Sequence, residues 1–277
     1  MSAGSLFIVP TPIGNLSDMT PRAIEVLASV DLIAAEDTRH SGKLLQHFEI
    51  KTNAISLHAH NESARSEYIV DKLLEGLNVA LISDAGTPLI SDPGFELVNR
   101  CREKGVMVSA LPGACALTTA LSACGLPTDK FTFSGFLPVK IQARESSLLQ
   151  AIDSAHTHVF YESPKRILDT LTSIEKHRPE AQVVIAKELS KTFETYQKGA
   201  ATDLIKWLSA EQARQKGEFV LIVYQAKEKV PDALPDEAKK LLGLLLPLLP
   251  PKKAATVVAE QYSLNKKQVY QHSISIR

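Results

Sequence analysis

The chain has 277 residues, of which 44% are hydrophobic and 22% charged, ordinary usage for a globular protein long enough to hold two domains. Lys plus Arg and Asp plus Glu both number 31, so overall charge selects no class of partner and must be read locally. Three cysteines without metal spacing, Cys101, Cys115 and Cys124, fit a reducing, cytoplasmic setting better than a disulfide scaffold.

The first segment, MSAGSLFIVPTPIGN, lacks a basic start and a long apolar core, so no secretion signal is expected. LFIVP (6–10) reads as a strand. PRAIEVLASV (21–30) reads as a helix, with Thr20 as its N-cap and Pro21 in its first turn. DLIAAED, SGKLLQHF, NAISLH and ESARSEYIVDKLLEGL continue the alternation of strand and helix, as do VALIS, FELVNRCREKG, VMVSAL and ALTTALSACG. Such alternation is the signature of a parallel sheet covered by helices, which places an α/β domain over residues 1–124.

A second α/β domain is expected over 125–226. Its strands are KFTFSGFLP, HTHVFYES, AQVVIAKEL, FETYQKGA and GEFVLIVYQ. Its helices are QARESSLLQAIDSA and PKRILDTLTSI, the latter with Ser163 as N-cap and Pro164 in its first turn. Consecutive strands with no intervening helix predict a mixed sheet. A charged, proline-rich linker then leads into a small helical domain, the third unit at 227–277. LLGLLLPLLPP (241–251) is too short for a membrane span, and Pro247 interrupts it. The tail carries Lys252, Lys253, Lys266, Lys267 and Arg277 against Glu260 alone. That is a local basic excess suited either to a polyanion or to a solvated face.

Parallel α/β sheets bind ligands at the carboxyl ends of their strands. Four segments fall there: VPTPIGN (9–15), AEDTRH (35–40), SDAGTPLISDPG (83–94) and LPGACA (111–116). Gly and Pro among small residues let a backbone approach a flat ligand closely with little ordering cost. No phosphate-binding P-loop and no G-x-G-x-x-G is present, and 83–94 contains no Lys or Arg. Its aspartates suit hydroxyls, amines or a cation instead. Asp92 is expected to cap the following helix, with Pro93 in its first turn. His58 with His60, and His156 with His158, have the spacing of metal pairs but no third ligand, so no metal site is expected.

Together VPTPIGNLSDMTPRA, AEDTRHS, ISLHAHNE, ALISDAGTPLISDPG and ALPGACALTTALSACGLP, with FSGFLP, FYESPKRI, AKELSKTFE and GEFVLIV, resemble the tetrapyrrole methylase superfamily of S-adenosylmethionine-dependent methyltransferases. The likeness runs over roughly 5–225 and is strongest to the branch that methylates a cytidine ribose 2′-hydroxyl in bacterial 16S rRNA; the basic tail resembles that branch's helical C-terminal domain. The resemblance implies two α/β domains with S-adenosylmethionine in the cleft between them, a homodimer, and no metal. It implies cofactor contacts at Ile13; at Ser83, Asp84 and Ala85; at Cys115 and Ala116; at Tyr161 and Glu162; at Ala186 and Lys187; and at Phe219 and Val220. Where the superfamily has a G-D-P loop, this chain has Ser83-Asp84-Ala85.

Strand-end position and residue type nominate Asp37, Lys187 and Glu188 as proton acceptors. Arg39, Lys165 and Arg166, with Lys252, Lys253, Lys266 and Lys267, are the expected phosphate contacts. A neutral chain carrying a basic tail favours an assembled small ribosomal subunit over naked RNA. The alternatives are methylation of a tetrapyrrole, which would need no basic appendage, and a non-catalytic RNA- or ligand-binding module.

Overall fold

Five short strands form the first sheet: β1 (Ser5–Ile8), β2 (Leu32–Ala35), β3 (Ala54–Ser56), β4 (Val79–Ile82) and β5 (Met107–Ala110). They lie in the order β3-β2-β4-β1-β5, and every neighbouring pair is parallel. The computed structural model describes residues 3–154, 156–226 and 234–275. Most of the expected linker (227–233) and Arg277 lie outside the described residues. Strand β4 is buried along its whole length, as an apolar run between two neighbours and under helices on both faces must be.

The connecting helices are α1 (Pro21–Ser29), α2 (Thr38–His47), α3 (Glu62–Leu74), α4 (Phe95–Glu103) and α5 (Ala116–Ala123). As the sequence predicts, Thr20 caps α1, its Oγ1 accepting from the Ala23 N–H at 3.1 Å. Ala23 and Leu27 of α1 and Leu45 of α2 pack with Ile33, Ala80 and Ile82 on one face of the sheet. Ile69 and Leu73 of α3 and Leu97 and Cys101 of α4 pack with Leu6 and Leu81 on the other. The crossover after β1 therefore covers one face and the crossover after β4 the opposite one. The two strands are neighbours, so a crevice opens between their carboxyl ends.

The second sheet contains β6 (Phe131–Phe136), β7 (Thr157–Glu162), β8 (Gln182–Lys187), β9 (Thr195–Gly199) and β10 (Phe219–Tyr224), in the order β6-β7-β10-β8-β9. Only β6 and β7 pair in parallel; the sheet is mixed, as expected. One face carries α6 (Ile141–Ile152), α7 (Ile167–His177) and α8 (Ala201–Ala210) around Phe160, Ile185 and Leu221. The other face packs Val184, Ala186, Val220 and Ile222 on Ala120 and Leu121 of α5, which joins the two sheets into one body over 1–226.

The structure differs from the sequence reading in three places. Helix α8 was not anticipated; Ala201, Leu204 and Leu208 bury it beneath the sheet. Helix α7 starts at Ile167, after a turn over 164–166, because the Glu162 carboxylate engages the Ser163 N–H and the Arg166 guanidinium there. Helix α4 starts at Phe95 with Gly94 as its cap, so Asp92 is not the N-cap. Glu62 takes that role from α3, its Oε1 accepting from the N–H groups of Gly94 and Glu96 at 2.9 Å each.

Residues 227–277 form a separate compact unit. Within it α9 (Asp236–Leu245), α10 (Pro251–Gln261) and α11 (Lys266–Ser275) bury Leu242, Ala254, Ala255, Val258 and Val269. The Asn265 side chain accepts from the Lys267 N–H at 2.9 Å and so starts α11. Lys252, Lys253, Lys266 and Lys267 are all exposed. Among the described residues no helix is long and apolar enough to cross a membrane.

Candidate active site

Loop 83–94 is the hub on which the strand-end segments are assembled. Its Gly86 pairs with Thr11 in an antiparallel bridge, with N–O distances of 2.9 and 3.0 Å, tying it to the loop after β1. The Thr87 hydroxyl donates to the Ala114 carbonyl at 2.9 Å, tying it to the loop after β5. Asp84 Oδ1 accepts from the Asp37 N–H at 3.2 Å, tying it to the loop after β2. Ser83 is buried, its hydroxyl donating to the Gly86 carbonyl at 3.3 Å and its carbonyl accepting from Thr11 at 3.2 Å. A residue larger than glycine at 86 would be strained at φ +84° and would press a Cβ to 3.2 Å from Ile13.

These loops and the second sheet enclose a cavity of about 330 Å³. Of the cofactor contacts implied by resemblance, Ile13, Ala85, Cys115 and Ala116 line it from the first sheet's loops. Tyr161, Glu162, Phe219 and Val220 line it from the second sheet. Ser83, Asp84 and Ala186 do not line it. The first two are turned into the loop network, and Ala186 faces α5 in the core because strand side chains alternate and Lys187 takes the opposite face. The sequence reading missed Thr87, Ile90, Ser91, Asp92, Leu189 and Glu218, all on the lining. Their position on the strand-end loops was the available signal.

The proposed proton acceptors are not on the lining. Asp37 is the N-cap of α2 and binds the Arg39 guanidinium at 2.8 Å and the Arg39 N–H at 2.8 Å. Those bonds hold its carboxyl far below the usual carboxylate range. Glu188 accepts from Lys191 and from the Glu218 N–H at 3.0 Å each; burial opposes its ionisation, but these partners outweigh it and keep its carboxyl low. Lys187 is buried, its Nζ lying 5.9 Å from the centre of the Phe219 ring. Of the expected phosphate contacts, Arg39 is fully in solvent and Lys165 is exposed, whereas Arg166 is committed to Glu162 at 2.7 Å.

The cavity's electrostatics are acidic. Burial pushes the Asp92 carboxyl up to about 6, assisted by the negative Glu36 and Asp84 and opposed by the Ser83 hydroxyl. Burial likewise raises Glu36. The Tyr161 phenol is pushed up by burial, its ring packed edge-on against Phe133 at 4.9 Å and Phe136 at 5.6 Å. Among the described residues, no Lys or Arg lines the cavity. Aromatic and aliphatic walls, carboxylates and no cation suit a positively charged ligand with a flat ring, and they do not suit a phosphate. Among the described residues, no group of three His, Cys, Asp or Glu is placed to hold a metal ion, and His58 and His60 stand 6.0 Å apart, centre to centre.

The family model described as Tetrapyrrole (Corrin/Porphyrin) Methylases matches residues 5–205, and one described as RsmI C-terminal HTH domain matches 232–277. A Vibrio cholerae protein named Ribosomal RNA small subunit methyltransferase I is 54% identical over 96% of this chain and 92% of its own. The chain belongs to this methyltransferase I family. An Escherichia coli O157:H7 member is 50% identical over 99% of this chain and 96% of its own. The solved structure of diphthine synthase superposes on 81% of this chain and 90% of its own with a TM-score of 0.63 at 14% identity, which supports the shared fold alone. Family membership implies S-adenosylmethionine as the methyl donor, and the acidic, phosphate-averse cavity fits that sulfonium cation.

Proposed function

We propose that this protein transfers a methyl group from S-adenosylmethionine to the 2′-oxygen of a cytidine ribose in bacterial 16S rRNA, acting on the small ribosomal subunit in the cytoplasm. The observation that carries this reading is the cavity at the crevice between β1 and β4, walled by both sheets and, among the described residues, lined by no cationic side chain, in a chain of this family. We take 1–124 and 125–226 as the two lobes that close on the cofactor, and 227–277 as the RNA-directed unit.

Bound S-adenosylmethionine would supply an electrophilic methyl group, so alignment, proton removal and exclusion of water fall to the protein. Ile13, Ala85, Cys115, Ala116, Tyr161, Phe219 and Val220 would hold it, with Glu162 at the edge. Ser83 and Asp84 fix the loops, and Ala186 packs beneath. Lys187 and Glu188 position Phe219 and Glu218. Asp37 orients Arg39 toward substrate phosphates, a task shared with Lys165, Lys252, Lys253, Lys266 and Lys267. Edge strands β5 and β6 expose Met107, Phe131 and Phe136, apolar surface that a second copy in a homodimer would cover.

The test incubates the protein and labelled S-adenosylmethionine with small ribosomal subunits, naked 16S rRNA or a precorrin, and then maps the label. Ribose methylation of a cytidine in small subunits supports the reading; label on the precorrin alone overturns it. Light scattering that shows a monomer at micromolar concentration would overturn the dimer.

A further inference from the structure

Three carboxylates border the cavity, and their surroundings differ. Glu162 is fully buried and saturated by the Ser163 N–H, Arg166 and the Thr170 hydroxyl. Glu218 is largely in solvent and paired with Lys191 at 2.7 Å. Asp92 has no cationic partner among the described residues; its neighbours are the Ser83 hydroxyl, the carboxylates of Glu36 and Asp84, and the Tyr161 phenol with Cys115 across the cavity.

The backbone that presents Asp92 is strained. Leu89 and Ser91 both sit in the left-handed region, at φ 72° and 74°, where a residue with a Cβ is disfavoured. The surrounding structure enforces this. The Leu89 side chain lies against Gly94, whose added Cβ would sit 3.2 Å from it and 2.6 Å from Leu81. The Ser91 hydroxyl lies against Gly135 at the bulge of β6, where an added Cβ would sit 3.0 Å from it. The loop is clamped between the two sheets so that Ile90, Ser91 and Asp92 line the cavity instead of continuing into α4. Strain held in place by packing on both sides marks a segment shaped for its site.

We propose that Asp92 is the proton acceptor of the methyl transfer, an assignment that rests on the ribose-methylating function proposed above. As the ribose oxygen attacks, the new O–C bond forms while the C–S bond breaks and sulfur keeps the bonding pair. The hydroxyl proton passes to the Asp92 carboxylate and from there to solvent. A carboxyl raised to about 6 is a stronger base than an ordinary aspartate and is still ionised at neutral pH, the compromise that general-base catalysis favours. Glu36 and Asp84 raise its basicity, and Ser83 restrains the rise.

The test compares wild type, Asp92→Asn and Asp92→Glu in the full chain. It measures cofactor affinity by calorimetry, single-turnover methylation of small subunits across pH, and the Asp92 carboxyl titration by carbon NMR. Asp92→Asn is expected to weaken S-adenosylmethionine binding, because a lining carboxylate facing the cation is neutralised, and at saturating cofactor to lose about 10²–10⁴-fold in single-turnover rate together with the acidic limb of the pH profile, with partial recovery in Asp92→Glu. The Asp92 resonance should titrate near 6 in the free protein. Turnover of Asp92→Asn within tenfold of wild type would overturn the proposal. So would loss of cofactor affinity at unchanged kcat, which would make Asp92 a cofactor contact. If wild type itself methylates no ribose, the functional reading fails and the proton acceptor fails with it.

Discussion

Arg166 and Glu162 form an ion pair at the foot of the cavity, with Arg166 Nε 2.8 Å from Glu162 Oε1 and the acid's side chain wholly buried. Thr170 donates to its second oxygen at 2.8 Å. Removing one partner of such a pair leaves a buried charge uncompensated, a far larger effect than loss of a surface contact. Arg166→Ala is therefore expected to cost about 3–5 kcal/mol in urea unfolding. Unchanged stability with weakened RNA binding would return Arg166 to the substrate surface.

Asp37 points the Arg39 guanidinium into solvent from the first turn of α2. Asn caps a helix as well as Asp, so Asp37→Asn should leave the unfolding midpoint in place. Loss of the pair frees Arg39 to wander. We expect a raised KM for small subunits with kcat kept within about threefold, since a general base would instead contribute about 10²-fold or more. A collapse of kcat at unchanged KM would make Asp37 the base after all.

The raised Asp92 carboxyl also has a thermodynamic signature. Its folded pKa of about 6 exceeds the usual 3.8, so protonation favours the folded state, and above pH 6 the charge is a burden on folding. Asp92→Asn should stabilise the protein by about 1 kcal/mol at pH 7.5 once solvent screening is allowed for. The gain should fade as pH falls through 6 toward 4. Thermal melts of both proteins across pH read this directly; an equal difference at all pH values would contradict a raised carboxyl.

His158 has the opposite sign. Burial, with His156 beside it at a ring separation of 4.3 Å, lowers its imidazole from 6.5 to about 4. Its contribution to stability is complete above pH 6.5 and is lost as pH falls through 4. His158→Asn should flatten the acid side of the stability profile relative to wild type. Parallel profiles would show that His158 titrates alike in the folded and unfolded states.

Lys266 and Lys267 sit at the start of α11, where the helix dipole disfavours cations, and both are exposed. An RNA phosphate would compensate that placement. The double change to Ala should weaken small-subunit binding and reduce the slope of log affinity against log salt by about 1.5, leaving cofactor affinity unchanged. An unaltered slope would assign these lysines to solvation.

Much of this architecture is legible in the linear chain. Pro21 after Thr20 announces α1, and the apolar run 79–82 announces a doubly covered strand, because capping and strand burial act between near neighbours. The boundaries of α4 and α7 were not legible. Each is set by a carboxylate that captures backbone N–H groups, Glu62 from a different helix and Glu162 from the preceding strand end. Helix α8 carries no capping side chain, its N-cap being Ala200 directly after β9, and its apolar stripe is recognisable once the sheet it covers is in view.

By itself the sequence determined the alternation of strand and helix and the Gly- and Pro-rich loops at the strand ends. Periodicity and turn chemistry are local and so can be read in residue order, whereas which loop residues turn into the cavity is set by the packing between the two sheets. Only the tertiary structure decided which charged side chain has which partner. Asp37 and Asp92 look alike in the chain, each an aspartate in a strand-end loop shortly before a helix. The fold gives Asp37 an arginine two residues away and gives Asp92 the carboxylates of Glu36 and Asp84, brought beside it by adjacent parallel strands. Charge interactions depend on distance through space and on burial, and neither is written in residue order.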